Sequence, residues 1–306
     1  MFHDELMPAD EREKFHSVYQ RLSDAVGACV RMFLWALKEV ERVTHEDGRD
    51  IHAVPLMLMM ELAEPLDGVA VLARSGSALN CSQLLRTALE LQLGLRYILE
   101  HKDTYEKRCL SYEFYHLRDK LRWVQRCDPK SQVGMQLRAE LAGEELADVF
   151  DHTGCDVAKD TAGLEAKMNS PRYADVVTEL TRMKAAKIKD GNWYSLWNGP
   201  KDCRSLALYL KKGSEYEVFY RQWSNVGHGE GAVKRLLSKK GEGAEFNAIR
   251  SPMKLPAMCR DACHLCNGTT RLIVDGLVPH ISPAINECYQ KEIQPGLHFI
   301  ESIKGL

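Results

Sequence analysis

Hydrophobic residues recur at three- and four-residue intervals along most of the chain, with charged residues between them. The first such run covers residues 15–40 and predicts one long amphipathic helix. A second run, residues 52–73, contains Pro65, which we expect to kink or divide its helix. Residues 78–100 are apolar on nearly every side, which is typical of the central helix of a bundle.

The second half of the chain carries the same pattern in shorter runs. Helical spacing covers residues 202–212 and 214–228, and it returns in two closing helices at 258–278 and 282–293. The glycines and lysines of residues 238–246 predict an exposed loop. No run shows the period-two alternation of a strand. We therefore predict an all-α fold, a multi-helix bundle without significant β-sheet.

The pattern predicts a single domain. We expect residues 1–306 to form one helical domain, closed by C-terminal helices within residues 252–306. The apolar pattern weakens between residues 130 and 170. That segment is predicted to be a peripheral helical insertion.

Charge and hydrophobicity limit the kinds of binding partner and the cellular compartment that we expect. The formal net charge is -2, so no global field attracts nucleic acid or an anionic membrane. Residues 54–60 form the most apolar stretch near the start of the second predicted helix, far shorter than the roughly 20 residues that cross a bilayer. The opening residues lack a signal-peptide pattern, so we expect a cytoplasmic protein with reduced thiols and no membrane partner.

Two charged residues stand out in the predicted central helix. Arg86 and Glu90 are four residues apart and therefore share one helix face, although leucines surround them. Burying charge is costly unless the charge is paired. The pair is a candidate binding site, and a partly exposed structural ion pair is the competing interpretation.

A second polar group lies on the helix predicted at residues 214–228. Arg221, Ser224, Asn225 and His228 form a polar stripe beside an apolar stripe that includes Tyr220. A histidine transfers protons near neutral pH, and an arginine on the same face can hold a phosphate. This combination suits phosphodiester chemistry, with Arg221, Ser224 and His228 as catalytic candidates. In the alternative, His228 only caps the helix C-terminus.

Two further features have structural explanations. Cys259, Cys263 and Cys266 lie on one helix face, so we interpret them as core residues and predict no metal site. Trp197, in the loop GNWYSLWNGP, could stack on a ligand or close the end of the bundle. No nucleotide-binding loop or zinc-protease motif occurs, and no cofactor is predicted.

Three segments occur in a familiar order: LLRTALELQLGLRYI, WNGPKDCRSLALYL and YRQWSNVGHG. Over roughly residues 50–235 the chain resembles the bacterial family catalogued as domain of unknown function 5677, which implies a helical core with three motifs. These are Arg-x-x-x-Glu, Trp-x-Gly and Tyr-x-x-x-Ser-x-x-x-His, matched by Arg86 and Glu90, by Trp197 and Gly199, and by Tyr220, Ser224 and His228.

The chain is also similar, more loosely, to HEPN domains, which are helical bundles that often dimerise and cut RNA without metal. Their Arg-x4-6-His motif is matched here by Arg221 and His228, although Gln222 follows the arginine in place of the usual Asn, Asp or His. This resemblance implies that Arg221 and His228 of two protomers meet in one cleft.

The leading functional hypothesis is a HEPN-like, metal-independent ribonuclease or toxin of a stress or phage-defence system. RNA, a second copy of the chain and an antitoxin or other defence partner are the expected partners. The alternative is a non-enzymatic sensor module that binds a ligand or a partner through the same polar pocket, formed by Arg86, Glu90, Tyr220, Asn225 and Trp197.

Overall fold

The chain is helical along nearly all of the residues that the structure describes. The computed structural model describes residues 9–47, 52–144, 150, 154, 156–227, 236–239, 243–246 and 254–303. The helices of the first half are α1 (Ala9–Asp47), α2 (Ala53–Arg74), α3 (Ala78–Leu99), α4 (Lys102–Cys127), α5 (Gln132–Glu140), α6 (Val157–Met168) and α7 (Ala174–Ala185). The later helices are α8 (Cys203–Tyr209), α9 (Gly213–Glu215), α10 (Arg221–Gly227), α11 (Leu255–Leu277), α12 (Ser282–Cys288) and α13 (Gln294–Ser302). The predicted all-α fold is confirmed.

Two compact units make up the chain. The first unit contains Met1–Glu100 and Cys203–Leu306, and the second contains His101–Asp202. The segment 130–170, predicted as a peripheral insertion, lies within the second unit and includes α5 and α6.

The core of the first unit is built by four long helices. α2 packs against α1 and α3, and α11 packs against all three. Pro65 was expected to kink or divide α2, but the helix runs through it without a break, and Pro65 is buried. The largest fully buried side chains of this core are Leu22, Phe33, Leu58, Met59, Leu62, Leu66, Leu85, Leu89, Leu93, Leu95 and Ile98.

The cysteines of α11 belong to this core. Cys259, Cys263 and Cys266 are all fully buried, as predicted for small core residues. The Cys263 thiol contacts Cys29 of α1, and this contact together with burial raises the pKa of Cys263. Among the residues that the structure describes, no three His, Cys, Asp or Glu side chains are grouped so that they could hold a metal ion.

A short β-hairpin corrects the loop predicted at residues 238–246. β1 (Leu236–Lys239) pairs in antiparallel register with β2 (Gly243–Phe246). Each strand has only four residues, too few for period-two alternation to stand out from the glycine- and lysine-rich composition of a loop. The hairpin leaves the fold class unchanged.

The second unit has a separate aromatic core. A 3-10 turn at Pro171–Tyr173 precedes α7, and a second at Trp193–Asn198 follows it. The buried residues of this aromatic core are Phe114, Tyr115, Tyr173, Val176, Met183 and Leu196. In the described parts of both units, no helix is both long and apolar enough to span a bilayer.

Close packing of α13 on α1 generates the first prediction. A Cβ added at Gly296 would lie 2.8 Å from the Cβ of Ala25 and 3.3 Å from its Cα, whereas one added at Gly27 meets only the flexible end of Arg31. Gly296→Ala should lower the free energy of unfolding, because overpacking costs about 1–3 kcal/mol and Ala25 has no side-chain torsion with which to move aside. The matched variant Gly27→Ala should raise it by about 0.5–1 kcal/mol.

Urea unfolding followed by circular dichroism measures both variants. A Gly296→Ala protein at least as stable as the wild type would show that α1 and α13 do not pack this closely.

Candidate functional site

Three of the predicted residues form one contact group, the polar cluster, on the first unit. The Tyr220 hydroxyl donates to Glu90 Oε1 at 2.6 Å, and Arg86 Nε donates to the same oxygen at 3.3 Å. The Arg86 guanidinium also lies 5.0 Å from the centre of the Tyr220 ring. The Arg86 and Glu90 side chains keep 29% and 45% of their surface exposed, so the pair is not buried within α3.

Tyr220 owes its position to a π-helical turn. Residues Tyr216–Tyr220 form this turn between α9 and α10, and the Arg221 amide donates to the Tyr216 carbonyl, five residues back. The Tyr216 and Tyr220 rings stack with their centroids 4.6 Å apart. The sequence predicted an uninterrupted α-helix here, and the extra residue in this turn corrects that prediction. π-turns inside helices are frequent at functional sites.

The Tyr220 phenol is a donor in this cluster. Burial raises its pKa, and the hydrogen bond to Glu90 acts in the same direction. The phenol therefore stays protonated near neutral pH, and the Glu90 carboxylate accepts from it. This contact joins α3 to the turn that leads into α10.

Arg221 lies at the start of α10, on the protein surface. Its side chain is 68% exposed. Its Nη1 donates to Glu217 Oε2 at 2.8 Å, and Arg204 Nε donates to Glu217 Oε1, also at 2.8 Å. The hydrogen bond from Arg204, followed by that from Arg221, lowers the pKa of Glu217. One carboxylate thus holds two surface arginines from different helices.

Among the remaining predicted site residues, the structure describes the side chains of Ser224 and Trp197. Ser224 is half-buried on α10, one turn beyond Arg221, where α-helical spacing has resumed. Asn225 lies on α10, but its side chain is outside the described part of the structure, and His228 lies outside the described residues altogether. Trp197 belongs to the second unit.

Trp197 makes several contacts that stabilise its position within the second unit. Trp197 and Asn198 both have left-handed backbone angles, with φ of 52° and 62°, which non-glycine residues rarely adopt. The Trp197 amide donates at 2.8 Å to Glu179, which is only 6% exposed and also accepts two hydrogen bonds of 2.7 Å from Arg182. The Lys107 ammonium lies 4.9 Å from the centre of the Trp197 ring. These contacts hold the Trp-x-Gly corner in place.

A cleft that sequence reasoning missed lies in the first unit. It is bounded by α3, the segment from Lys212 to Trp223, and α11, and it encloses about 340 Å³. We call it the α3–α11 cleft. Its lining residues are Leu89, Gln92, Arg96, Lys212, Glu215, Phe219, Trp223, Asp261, His264, Leu265 and Gly268.

Charged groups in this cleft are poorly solvated. Asp261 is 8% exposed, and its burial raises its pKa, although nearby Arg260 opposes the shift. Burial lowers the pKa of Arg96, against the attraction of Glu215. Arg96 Nε is buried without a hydrogen-bond partner among the described residues. Gln92 and Arg96, four apart in an apolar helix, were the one sequence signal that could have indicated this site.

Comparison with known proteins identifies a family but no function. The model of DUF5677, described as a family of unknown function, matches residues 52–244, which confirms the first of the two resemblances. The match includes the polar cluster and Trp197, and it ends before α11. No curated protein and no solved structure matches the chain.

The polar cluster predicts a measurable coupling between α3 and the π-turn. In a double-mutant cycle, Tyr220→Phe and Glu90→Ala should each destabilise the first unit. The combined variant should lose less stability than the sum of the two single losses. We expect a coupling energy of about 0.5–1.5 kcal/mol, since the accepting carboxylate is charged but half-exposed. Urea unfolding of the four proteins measures it. A coupling energy of zero would mean that the contact does not form.

The buried Glu179 carboxylate predicts a pH-dependent stability of the second unit. Hydrogen bonds from Arg182, and then from the Trp197 amide, lower its pKa despite burial. The stability that it contributes is therefore complete above its unfolded-state pKa of about 4.3 and is lost as pH falls through the lower folded-state pKa.

Glu179→Gln should lower the free energy of unfolding of the second unit by about 1.5–3 kcal/mol at pH 7. The difference in stability from the wild type should shrink below about pH 4. Thermal melting across this pH range measures the effect. Glu165→Gln, at an exposed position of α6, is the control and should melt like the wild type. A loss that does not change with pH would contradict an ionised Glu179.

Proposed function

Because the chain belongs to DUF5677, a family of unknown function, we propose from the site itself that α10 carries a HEPN-like, metal-independent RNA-cleaving site. In this mechanism His228 helps to move the proton of the RNA 2'-hydroxyl, and Arg221 stabilises the negative charge that develops on the phosphorus oxygens. The Ser224 hydroxyl, one turn beyond Arg221, donates to a non-bridging phosphate oxygen.

One observation carries this proposal: the polar cluster fixes the π-turn immediately before the exposed Arg221. Tyr220 is held to Glu90 at 2.6 Å, and α10 begins at the next residue. An arginine that acts on a phosphate must be exposed and held in a defined direction. The Arg86–Glu90–Tyr220 contacts fix the backbone from which Arg221 projects, and the 68% exposure of the Arg221 side chain gives a phosphate access to it.

The ion pair with Glu217 is compatible with this role. Ion pairs between exposed side chains contribute little net stability, so an RNA phosphate can displace Glu217 from Arg221. Until then, Arg221 Nη1 donates to Glu217 Oε2. Arg204 remains on Glu217 after the exchange, so the carboxylate is not left unpaired.

The expected partners follow from this assignment. A homodimer would bring Arg221 of one protomer close to His228 of the other, as the HEPN resemblance implies. An RNase that damages its own host needs an inhibitor, so an antitoxin or another defence-system protein is the proposed binding partner of the same surface.

A second candidate function has its own support. Arg86, Glu90 and Tyr220 all bind each other, an arrangement that suits a fixed recognition surface as well as a catalytic one. In that case the chain is a non-enzymatic sensor module that binds a ligand or a partner through this surface.

Two arginines on one carboxylate provide a matched test. Arg221→Ala and Arg204→Ala remove the same charge from the same partner, Glu217, at side chains of similar exposure, 68% and 61%. The purified wild type should cut RNA in the presence of EDTA. Arg221→Ala should be slower by about 10²–10³-fold and His228→Ala by about 10²–10⁴-fold, whereas Arg204→Ala should cut like the wild type.

Rates of cleavage of a labelled RNA measure these effects, with thermal melting as the check on folding. Equal activity of the Arg221→Ala and Arg204→Ala proteins would contradict the role of Arg221. A wild type that leaves RNA intact while binding it or a partner would favour the sensor.

A further inference from the structure

The α3–α11 cleft has the dimensions and the wall of a small-molecule site. Its volume of about 340 Å³ lies within the range of ligand pockets, about 300–1,000 Å³. Phe219 and Trp223 line one side and stack on each other, with ring centroids 5.7 Å apart and an interplanar angle of 21°. Aromatic side chains of this kind pack well against a flat ring.

Arg96 gives the cleft an unsatisfied cationic donor. Its Nε is buried and, within the described part of the chain, has no hydrogen-bond partner, although a buried guanidinium N–H left unbonded is costly. Glu215 attracts Arg96, but this carboxylate is already bound to the Lys212 ammonium. A carboxylate or a phosphate accepts from a guanidinium through two parallel hydrogen bonds. An anionic group on a ligand would therefore supply what Arg96 lacks.

The floor of the cleft is rigid. The side-chain amide of Gln92, which is 2% exposed, donates to the Leu265 carbonyl at 2.9 Å and to Thr269 Oγ1 at 2.6 Å. These hydrogen bonds join α3 to α11 directly beneath the cleft. Arg96 follows Gln92 by one helical turn, so its backbone is fixed in position without a ligand.

The α11 side of the cleft presents two more polar groups. Asp261 and His264 are three residues apart and both line the cleft. The buried Asp261 carboxyl has a raised pKa, and its oxygens can accept a hydrogen bond from a polar ring edge. His264 is exposed at the mouth. Polar groups thus surround a flat apolar wall, a combination that fits a polar heteroaromatic ring.

We propose that the α3–α11 cleft binds a small planar aromatic molecule that carries a carboxylate or a phosphate group. The ring packs on Phe219 and Trp223, and the anionic group binds Arg96. This site is separate from the proposed RNA-cleaving residues, and the proposal does not depend on them.

Isothermal titration calorimetry with the full chain tests the proposal. The four probes are AMP and indole-3-carboxylate, with adenosine and indole as their neutral counterparts. At least one anionic probe should bind about tenfold or more tightly than its counterpart, since a charge-assisted hydrogen bond accounts for at least that factor. Tight binding of AMP alone would identify a phosphate ligand, and tight binding of indole-3-carboxylate alone a carboxylate.

Substitutions locate the binding. Arg96→Gln should lower the affinity for the anionic probe about tenfold or more. It should leave the affinity for the neutral counterpart nearly unchanged. Arg271→Gln removes an exposed arginine of α11 that does not line the cleft and should bind like the wild type.

If Arg96→Gln fails to fold, two other cleft variants replace it in the test: His264→Gln and Trp223→Phe, the latter a conservative change in the aromatic wall. Each should weaken binding of the anionic probe. The proposal is overturned if neither anionic probe binds at millimolar concentration, if the neutral probes bind as tightly, or if folded cleft variants bind like the wild type.

Discussion

Polar side chains in an otherwise apolar central helix constrain the packing of the first unit. α3 packs against α2, α10 and α11, and a polar group buried on it is costly unless a neighbouring element supplies a hydrogen-bond partner. Gln92 is satisfied by α11 through Leu265 and Thr269, and Glu90 is satisfied by Tyr220. The direction in which each polar residue points therefore determines which neighbouring helix is held at that place.

The π-turn connects this constraint to function. By accommodating one extra residue, it turns Tyr220 toward Glu90 while Phe219 and Trp223 line the α3–α11 cleft. Arg221 directly follows this turn and lies on the surface at the start of α10. A single local irregularity thus serves two surfaces: the polar cluster behind the proposed RNA-cleaving residues, and the aromatic wall of the proposed ligand site.

The sequence predicted those features of the fold that depend on residues close together along the chain. The long helices follow from apolar periodicity, and the pairing of Arg86 with Glu90 follows from their spacing on α3. The π-turn could not be foreseen, because apolar periodicity does not mark where a helix accommodates one extra residue. The α3–α11 cleft was missed because Arg96 and Asp261 are remote in sequence, and the spacing of Gln92 and Arg96 on α3 does not indicate which helix covers them. Catalytic roles for Arg221 and His228 stay predictions.

Hydrogen exchange tests most directly whether the polar residues of α3 hold their neighbouring helices separately. Exchange of the α10 amides, Arg221–Gly227, would be followed by mass spectrometry in the wild type and in Glu90→Ala, which removes the acceptor of the Tyr220 hydrogen bond. α11 serves as the internal reference. We expect faster exchange in α10 and unchanged exchange in α11, which Gln92 still holds. Unchanged exchange in α10, or equal acceleration in both helices, would contradict it.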